Sequence, residues 1–266
     1  MKKALFVAIL GIVIICLVTG IASAGSSMNH ILKQGELVVG ITGTQPPLNA
    51  IDKEGKIIGF DADIAAAISK NLGVNLRLSK MPFPELLPAL VNGKVDMIIS
   101  GMTMTLERNT KVAFVGPYYI SGKGLLTKME NVASLQNSDA LNKPEFRVAT
   151  LKDSTSQAFV QKATPNATLV TTQSYDDAVE MLLGGKVDIL IADYPFCAFT
   201  AFRFSEKGLI AGQAKLTYEP LGIAVLEDAL LVNWLENFMM MFEANGQLKS
   251  LISQWFQNGA WVKQLP

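Results

Sequence analysis

One arginine follows an apolar run in a setting that suits anion binding. Arg108 ends the segment 100–108, which contains the hydroxyl side chains Thr103 and Thr105. Exposed backbone N–H groups, hydroxyls and a guanidinium together form an anion site, and arginine matches a carboxylate with a planar fork of donors. A structural alternative stays open, in which Arg108 pairs with Glu107 or another surface acid and the threonines cap helices.

A carboxylate lies at the end of a second apolar run. Asp193 closes the segment 189–193, and a buried carboxylate is costly without a partner. A ligand ammonium would supply that partner, although Asp193 can instead cap a helix that starts near Pro195. An anion site on one side and a carboxylate on the other suit a zwitterion, and an α-amino acid would bridge Arg108 and Asp193.

A repeated segment indicates how these groups are positioned. Segments 89–101 and 181–193 are similar, and each contains a helix end, a Gly-Lys-Val-Asp turn and an apolar strand. Two copies at domain-scale spacing predict two similar α/β lobes. Ligands of open α/β sheets bind beyond the carboxyl ends of the strands. These ends carry Ser100 and Gly101 in the first copy and Asp193 in the second, so we expect a cleft between them.

Local patterns predict alternating strands and helices. Strands are predicted over 37–41, 57–60 and 74–78, and helices over 62–70 and 84–90. We expect Asp61 to be the N-cap of the first of these helices and Gly73 to end it. The alternation favours an α/β fold with mostly parallel strands.

The composition excludes several classes of protein. The chain has 266 residues, with 23 Lys+Arg against 23 Asp+Glu, and 50% of its residues are hydrophobic. The charge balance argues against nucleic-acid binding, and the apolar content argues against disorder. With two cysteines and one histidine, a zinc cluster is not expected, and we predict no metal and no cofactor.

The N-terminus has the layout of a secretory signal peptide. A basic start precedes the uncharged apolar run 4–22, and Ala22-Ser23-Ala24 forms a small-x-small cleavage site. We therefore predict a signal peptide over 1–24 and export to the periplasm. An uncleaved anchor is the alternative, since the run nearly spans a bilayer. Cleavage would leave Cys197 as the single cysteine, which excludes an internal disulfide.

Taken together, the motifs resemble the family 3 extracellular solute-binding proteins, which are periplasmic polar amino-acid receptors of ABC importers. The matching stretches are 59–63, 87–96, 101–108, 114–119, 186–193 and 245–256. The resemblance implies a type II periplasmic binding protein fold, an α/β fold of two lobes with the ligand cleft between them. Lobe 1 would comprise 29–121 and 220–266, and lobe 2 would comprise 122–219, with crossings near 119–122 and 218–222.

The resemblance also implies roles for the cleft residues. The arginine matching Arg108 holds the ligand α-carboxylate, assisted by the threonine matching Thr103 and by the backbone near Ser100 and Gly101. The aspartate matching Asp193 takes the α-ammonium.

A lobe 2 loop adds further donors in this family. In this chain the loop contains Ser154 and Thr155, and Asp153 replaces the family's glycine. Thr155 is the best match to the family's loop, and Asp153 is its departure from the pattern.

The pocket for the ligand side chain departs further from the pattern. Relatives that bind cationic amino acids carry an aspartate at the position of Thr42, and many carry an aromatic residue at that of Gln45. Phe83 keeps an aromatic wall, although core packing is an alternative role. Without an acid at position 42, a cationic ligand lacks its counter-charge, so we expect an uncharged amino acid.

These features predict a monomeric, non-catalytic receptor that delivers an amino acid to an ABC permease in the inner membrane. An exported cyclohexadienyl or arogenate dehydratase is the alternative, because such enzymes resemble this family. They carry a glutamate where this chain has Gln157, and an amide is no general acid. A sensing domain for a signalling partner is a third interpretation, and it would need a fused transmembrane or kinase segment.

Overall fold

The computed structural model describes residues 27–132 and 141–266. The predicted signal peptide over 1–24 lies outside the described residues. Within the described ranges, no helix is long and apolar enough to cross a membrane.

Helices and strands alternate along the described chain. The strands are β1 (Glu36–Ile41), β2 (Thr44–Gln45), β3 (Asn49–Ile51), β4 (Ile57–Ile58), β5 (Asn75–Lys80), β6 (Met97–Ile98), β7 (Ala113–Ser121), β8 (Lys123–Lys128), β9 (Arg147–Leu151), β10 (Thr168–Thr172), β11 (Ile189–Asp193), β12 (Leu209–Ala211) and β13 (Glu219–Val225). The α-helices are α1 (Ser27–Gln34), α2 (Phe60–Leu72), α3 (Phe83–Val91), α4 (Leu106–Asn109), α5 (Thr155–Ala163), α6 (Tyr175–Leu183), α7 (Tyr194–Arg203), α8 (Ala229–Ala244) and α9 (Gln247–Ile252).

Two five-stranded sheets with the same plan form the two lobes. The first has the order β5-β1-β6-β13-β7 and the second the order β10-β9-β11-β8-β12. In each sheet the first three strands are parallel and the last two pairings are antiparallel. Because β7 and β12 each pair antiparallel with the opposed strand, four of the five strands in each sheet run in one direction, and the expectation of mostly parallel strands is confirmed. Each sheet is mixed, because one strand that runs against the parallel set inserts beside its third strand.

The repeated segments have the same local structure in both lobes. After α3 and α6, Gly93 and Gly185 each adopt a φ of 66°, a left-handed conformation that glycine tolerates best. The aspartates of the two turns then accept a backbone N–H from the neighbouring strand. Asp96 accepts from Val38 at 2.8 Å and Asp188 accepts from Arg147 at 2.8 Å. The prediction of two matching helix–turn–strand units is confirmed.

Most predicted elements are present, with shifted ends. The predicted strand 57–60 is limited to β4, because Phe60 already begins α2. The N-cap of α2 is Gly59, so the prediction for Asp61 is wrong. Asp61 is instead fully buried within the first turn, where it accepts hydrogen bonds from Asn49 and Tyr118. Gly73 ends α2 in the left-handed conformation, as predicted.

One apolar cluster joins the two lobes. It contains Ile98 and Met102 from the first lobe and Leu190 and Phe196 from the second, all buried. A fully buried side chain of this size contributes about 1.5–3 kcal/mol to stability. The lobes therefore pack against each other through apolar side chains as well as through polar ones.

Candidate functional site

Arg108 is held at the junction of the two lobes by a short helix. Thr105 caps α4 by accepting the backbone N–H of Arg108 at 3.1 Å, so the capping alternative is correct for this threonine. The Arg108 side chain is buried and lies over the Phe83 ring, with 5.6 Å from the guanidinium carbon to the ring centroid. Burial lowers the pKa of Arg108, against the attraction of Glu219 and Asp193.

The Arg108 guanidinium donates to carbonyl oxygens of both lobes. Its Nη1 lies 2.9 Å from the Thr103 oxygen, and its Nη2 lies 3.3 Å from the Asp153 oxygen. In the part of the chain that the structure describes, no carboxylate lies within ion-pair distance of Arg108. The alternative of a surface ion pair with Glu107 is therefore wrong.

Asp193 has an internal cationic partner. Lys123 begins β8 beside it, and the Lys123 Nζ lies 3.2 Å from Asp193 Oδ1. The same ammonium lies 3.4 Å from Glu219 Oε2. All three residues are buried, and Lys123 is only 1% exposed. Asp193 occupies the N-cap position of α7, as the helix-cap alternative predicts, but its carboxylate accepts no capping hydrogen bond there.

A hydrogen-bond chain extends from this ion cluster back to the first lobe. The Thr155 hydroxyl donates to Glu219 Oε2 at 3.0 Å and lies 3.4 Å from the Thr103 hydroxyl. On the other side, Gln45 Nε2 donates to Asp193 Oδ2 at 2.6 Å. A polar network with members from both lobes thus joins Gln45, Asp193, Lys123, Glu219, Thr155 and Thr103.

Gly101 leaves room for the Gln45 amide. Its φ is 58°, and a Cβ added there would lie 2.6 Å from Gln45 Oε1. A larger residue at 101 would therefore displace Gln45 as well as strain the backbone. This explains why a glycine stands near the first lobe's strand end, where the second lobe has Asp193.

Thr42 and Ser100 are joined to each other beside this network. The Ser100 hydroxyl accepts the Thr42 backbone N–H at 3.0 Å, and the Thr42 hydroxyl donates to Asn49 at 2.7 Å. The Asn49 amide donates in turn to Asp61 at 2.8 Å. Burial raises the pKa of Asp61 to about 7, although hydrogen bonds from Asn49 and Tyr118 oppose this shift.

The lobe 2 loop keeps the conformation that a glycine would adopt. Asp153 has a φ of 56°, and its N–H donates to Gln157 Oε1 at 2.8 Å. Ser154 caps α5 by accepting the Gln157 backbone N–H at 3.2 Å. Aspartate enters the left-handed region more readily than most residues. The substitution therefore preserves the carbonyl that meets Arg108.

A cavity of about 540 Å³ opens beside Arg108 and between the two lobes. It is lined by Arg108 and Thr105 from lobe 1 and by Asp153, Thr155 and Gln157 from lobe 2. Within the described residues, no group of three or more His, Cys, Asp or Glu could hold a metal ion. The guanidinium and the neighbouring hydroxyl groups favour a small ligand with a negative group, and Pro84, Leu87, Pro88 and Ala158 add apolar surface to the lining.

Three of the ten predicted site residues, Arg108, Ser154 and Thr155, line this cavity, and all ten lie around the junction of the two lobes. The ten are Thr42, Gln45, Phe83, Ser100, Gly101, Thr103, Arg108, Ser154, Thr155 and Asp193. Sequence reasoning missed Lys123 and Glu219. The available signal was their position, because Lys123 directly follows one predicted crossing between lobes and Glu219 lies within the other.

Two mixed α/β lobes with a polar site between them define the class of two-lobe periplasmic binding proteins. Residues 37–258 match the profile of the bacterial extracellular solute-binding proteins, family 3. The chain belongs to that family.

Relatives with known names or structures agree with this assignment. The chain is 29% identical over 224 residues to ABC transporter arginine-binding protein 1 of Escherichia coli, covering 82% of this chain and 89% of the relative. It is 35% identical to a putative ABC-transporter binding component from Wolinella succinogenes solved with lysine, with a TM-score of 0.81 over 86% of this chain and 99% of that one. An ancestral amino acid-binding protein, a precursor of cyclohexadienyl dehydratase, is 33% identical, with a TM-score of 0.80 over 87% and 100%.

Proposed function

We propose that this protein captures an α-amino acid with an uncharged side chain between its lobes and delivers it to an ABC permease. The lobes, over 29–121 with 220–266 and over 122–219, would close on the ligand by bending at their two crossings. Family membership and relatives named for amino acids support this class of ligand.

The observation that carries the proposal is the distribution of charge across the cleft. Arg108 brings one positive charge on one side. On the other side an acidic pair, Asp193 and Glu219, surrounds Lys123, which leaves one net negative charge. A zwitterion has one charge of each sign, so its carboxylate fits Arg108 and its ammonium fits the acidic pair. A cationic amino acid would bring an additional positive charge into a cleft that already holds a buried lysine.

Transport explains an exported protein of this design. The N-terminal pattern is typical of a signal peptide, and the family contains binding proteins of ABC transporters. A periplasmic monomer that meets a permease in the inner membrane is the expected setting. Hinge closure would give the permease a surface that differs between free and loaded receptor.

Binding measurements on the mature protein test the proposal. Thermal shifts recorded with each standard amino acid should single out one or a few with uncharged side chains. A ligand at 100 times its dissociation constant should stabilise the protein by about 2.7 kcal/mol. Isothermal titration of the best ligands then gives their affinities. If none of the amino acids binds, the proposal is wrong.

A dehydratase is the second candidate, because one similar structure is described as a precursor of cyclohexadienyl dehydratase. The position that would supply a general acid, in the first turn of α5 after the loop, is Gln157, whose amide oxygen accepts the Asp153 N–H. An amide in that role holds the loop and donates no proton to a leaving group. Incubation with prephenate should therefore yield no phenylpyruvate, and turnover would favour the enzyme.

A further inference from the structure

A lysine is buried within the polar network between the lobes, almost without access to solvent. Its side chain is 2% exposed, and both of its ion-pair partners, Asp193 and Glu219, are buried as well. Burying an ammonium is costly, and the two carboxylates offset that cost only while they face it. Lys123 is therefore fixed where it lies, at the first residue of β8.

Among the described residues, the Lys123 ammonium is the only cation within ion-pair distance of the acidic pair. The groups that donate to the pair from other elements are neutral. They are the Gln45 amide and the Ser121 hydroxyl on Asp193, and the hydroxyls of Thr155 and Thr217 on Glu219. The Lys123 ammonium thus neutralises one of the two negative charges, and a second cationic group of a ligand would need that charge as its partner.

We propose that Lys123 is a specificity-determining residue that excludes amino acids with cationic side chains. The inference rests on the proposed function and names the group that enforces its preference for uncharged ligands. With Lys123 in place, the acidic pair has one net negative charge and satisfies one α-ammonium. Without it, two negative charges remain, which match an α-ammonium together with a guanidinium or a second ammonium.

Replacing the lysine by a neutral side chain of similar length tests this proposal. Lys123→Met should bind L-arginine and L-lysine at least tenfold more tightly than the wild-type protein does, measured by isothermal titration at low salt. L-alanine, L-serine and L-glutamine serve as uncharged probes, and their affinities should gain less. Lys128→Met is the matched control, because Lys128 lies on the same strand and pairs with the exposed Glu130. It should leave every affinity unchanged.

A second variant guards against failure to fold, since Lys123→Met leaves two buried carboxylates without their cation. In Lys123→Gln the positive charge is removed, while the amide can still donate hydrogen bonds to the two carboxylates. L-arginine should again bind more tightly than to wild type, because both negative charges of the acidic pair remain. The proposal is overturned if the folded variants show no gain for L-arginine or L-lysine.

The same titrations separate this inference from the proposed function. If the wild-type protein binds an uncharged amino acid and the variants still reject L-arginine, only the role of Lys123 is wrong. If the wild-type protein binds L-arginine more tightly than every uncharged probe, the role of Lys123 and the preference for uncharged ligands are both wrong. If it binds no amino acid, the proposed function itself fails.

Discussion

The two lobes share a helix–turn–strand unit and differ in the residues just beyond its strand. In both, a glycine with a φ of 66° leads to an aspartate that accepts a backbone N–H from the adjacent strand. After β6, lobe 1 continues with Ser100 and Gly101, whereas β11 of lobe 2 ends at Asp193. The unit that builds each lobe is therefore separate from the residues that give each side of the cleft its charge.

The buried acids of the two lobes also differ in their partners. Asp61 of lobe 1 is held by the neutral donors of Asn49 and Tyr118. Asp193 of lobe 2 faces the Lys123 ammonium. Neutral donors leave much of the cost of burying a charge in place, whereas a cation offsets it. The first arrangement raises the pKa of a carboxyl group, and the second forms a buried ion pair.

The largest effect is expected from removing the cation of lobe 1. Arg108→Ala should weaken binding of the amino acid selected by the thermal-shift screen at least a hundredfold. Each hydrogen bond to a charged group contributes about 1.5–3 kcal/mol, and a carboxylate receives two from the guanidinium. Isothermal titration measures the loss. Arg77→Ala is the control, because Arg77 pairs with Glu36 at the surface. Unchanged affinity in Arg108→Ala would refute the anion site.

The contrast between the buried acids predicts a pH dependence that Asp61 causes. Burial raises the pKa of Asp61 to about 7, so the folded state binds this proton more tightly than the unfolded chain does. The resulting stability is fully present below about pH 4 and is lost as the pH rises through about 7, a change of roughly 4 kcal/mol. Between pH 4 and 8, the free energy of unfolding measured with urea should change less with pH for Asp61→Asn than for the wild-type protein. Parallel profiles for both proteins would contradict this assignment.

The contributions of Asp96 and Asp188, the matching aspartates of the two repeated segments, to the free energy of unfolding should change with pH in opposite directions. Burial raises the pKa of Asp96, and the Val38 N–H opposes it only in part. Burial acts on Asp188 too, but hydrogen bonds from Arg147 outweigh it and hold the pKa of Asp188 below its usual range. Asp188 therefore stabilises the fold above about pH 4 and loses that contribution as the pH falls through its lowered pKa, whereas Asp96 makes the fold more stable as the pH falls.

Asn substitutions at both positions measure this difference. Asp188→Asn should destabilise the protein by about 1–2 kcal/mol at pH 7 and by less at pH 3, and the partial exposure of Arg147 keeps the value modest. The cost of Asp96→Asn should instead grow as the pH falls. Chemical unfolding at pH 3, 5 and 7 gives both trends, and equal trends would mean that the two units are electrostatically alike.

The smallest effect concerns the turns that the repeats share. Gly93→Ala and Gly185→Ala should each cost about 1 kcal/mol, because a Cβ is strained at positive φ although the space around both glycines is open. Gly259→Ala is the control, since Gly259 has open space without a positive φ. Thermal unfolding should give equal losses for the two turns. Clearly unequal losses of stability would show that the two turns are not energetically equivalent.

The sequence predicted features that depend on neighbours along the chain. The Gly-Lys-Val-Asp segments specify their own turn, because glycine permits the φ and aspartate reaches a nearby N–H. Residues 83–91 and 36–41 formed their helix and strand with ends shifted by a residue. The hydroxyl-rich segment after β6 likewise identified Arg108 and Thr103 as neighbours across a short turn.

The missed features depend on residues that are distant in the sequence. Lys123 lies between two glycines and resembles part of a loop, and it is buried only because Asp193 and Glu219 come from other strands. In the sequence Asp61 resembles a helix cap, and only its contacts with the distant Asn49 and Tyr118 explain its burial. The one opposed strand of the first sheet has the same origin, since β13 inserts beside β6 after the whole second lobe has been traversed.

The passages between the lobes lie side by side, and this restricts how the molecule can deform. Ser121, the last residue of β7, pairs with Glu219, the first residue of β13, and the next two residues of β13 pair with β7 in the same register. A single connecting chain would let the lobes twist relative to each other. Two connections that are hydrogen-bonded to each other bend readily in one direction and resist twisting. The guanidinium and the acidic pair should therefore separate and meet again along one reproducible path.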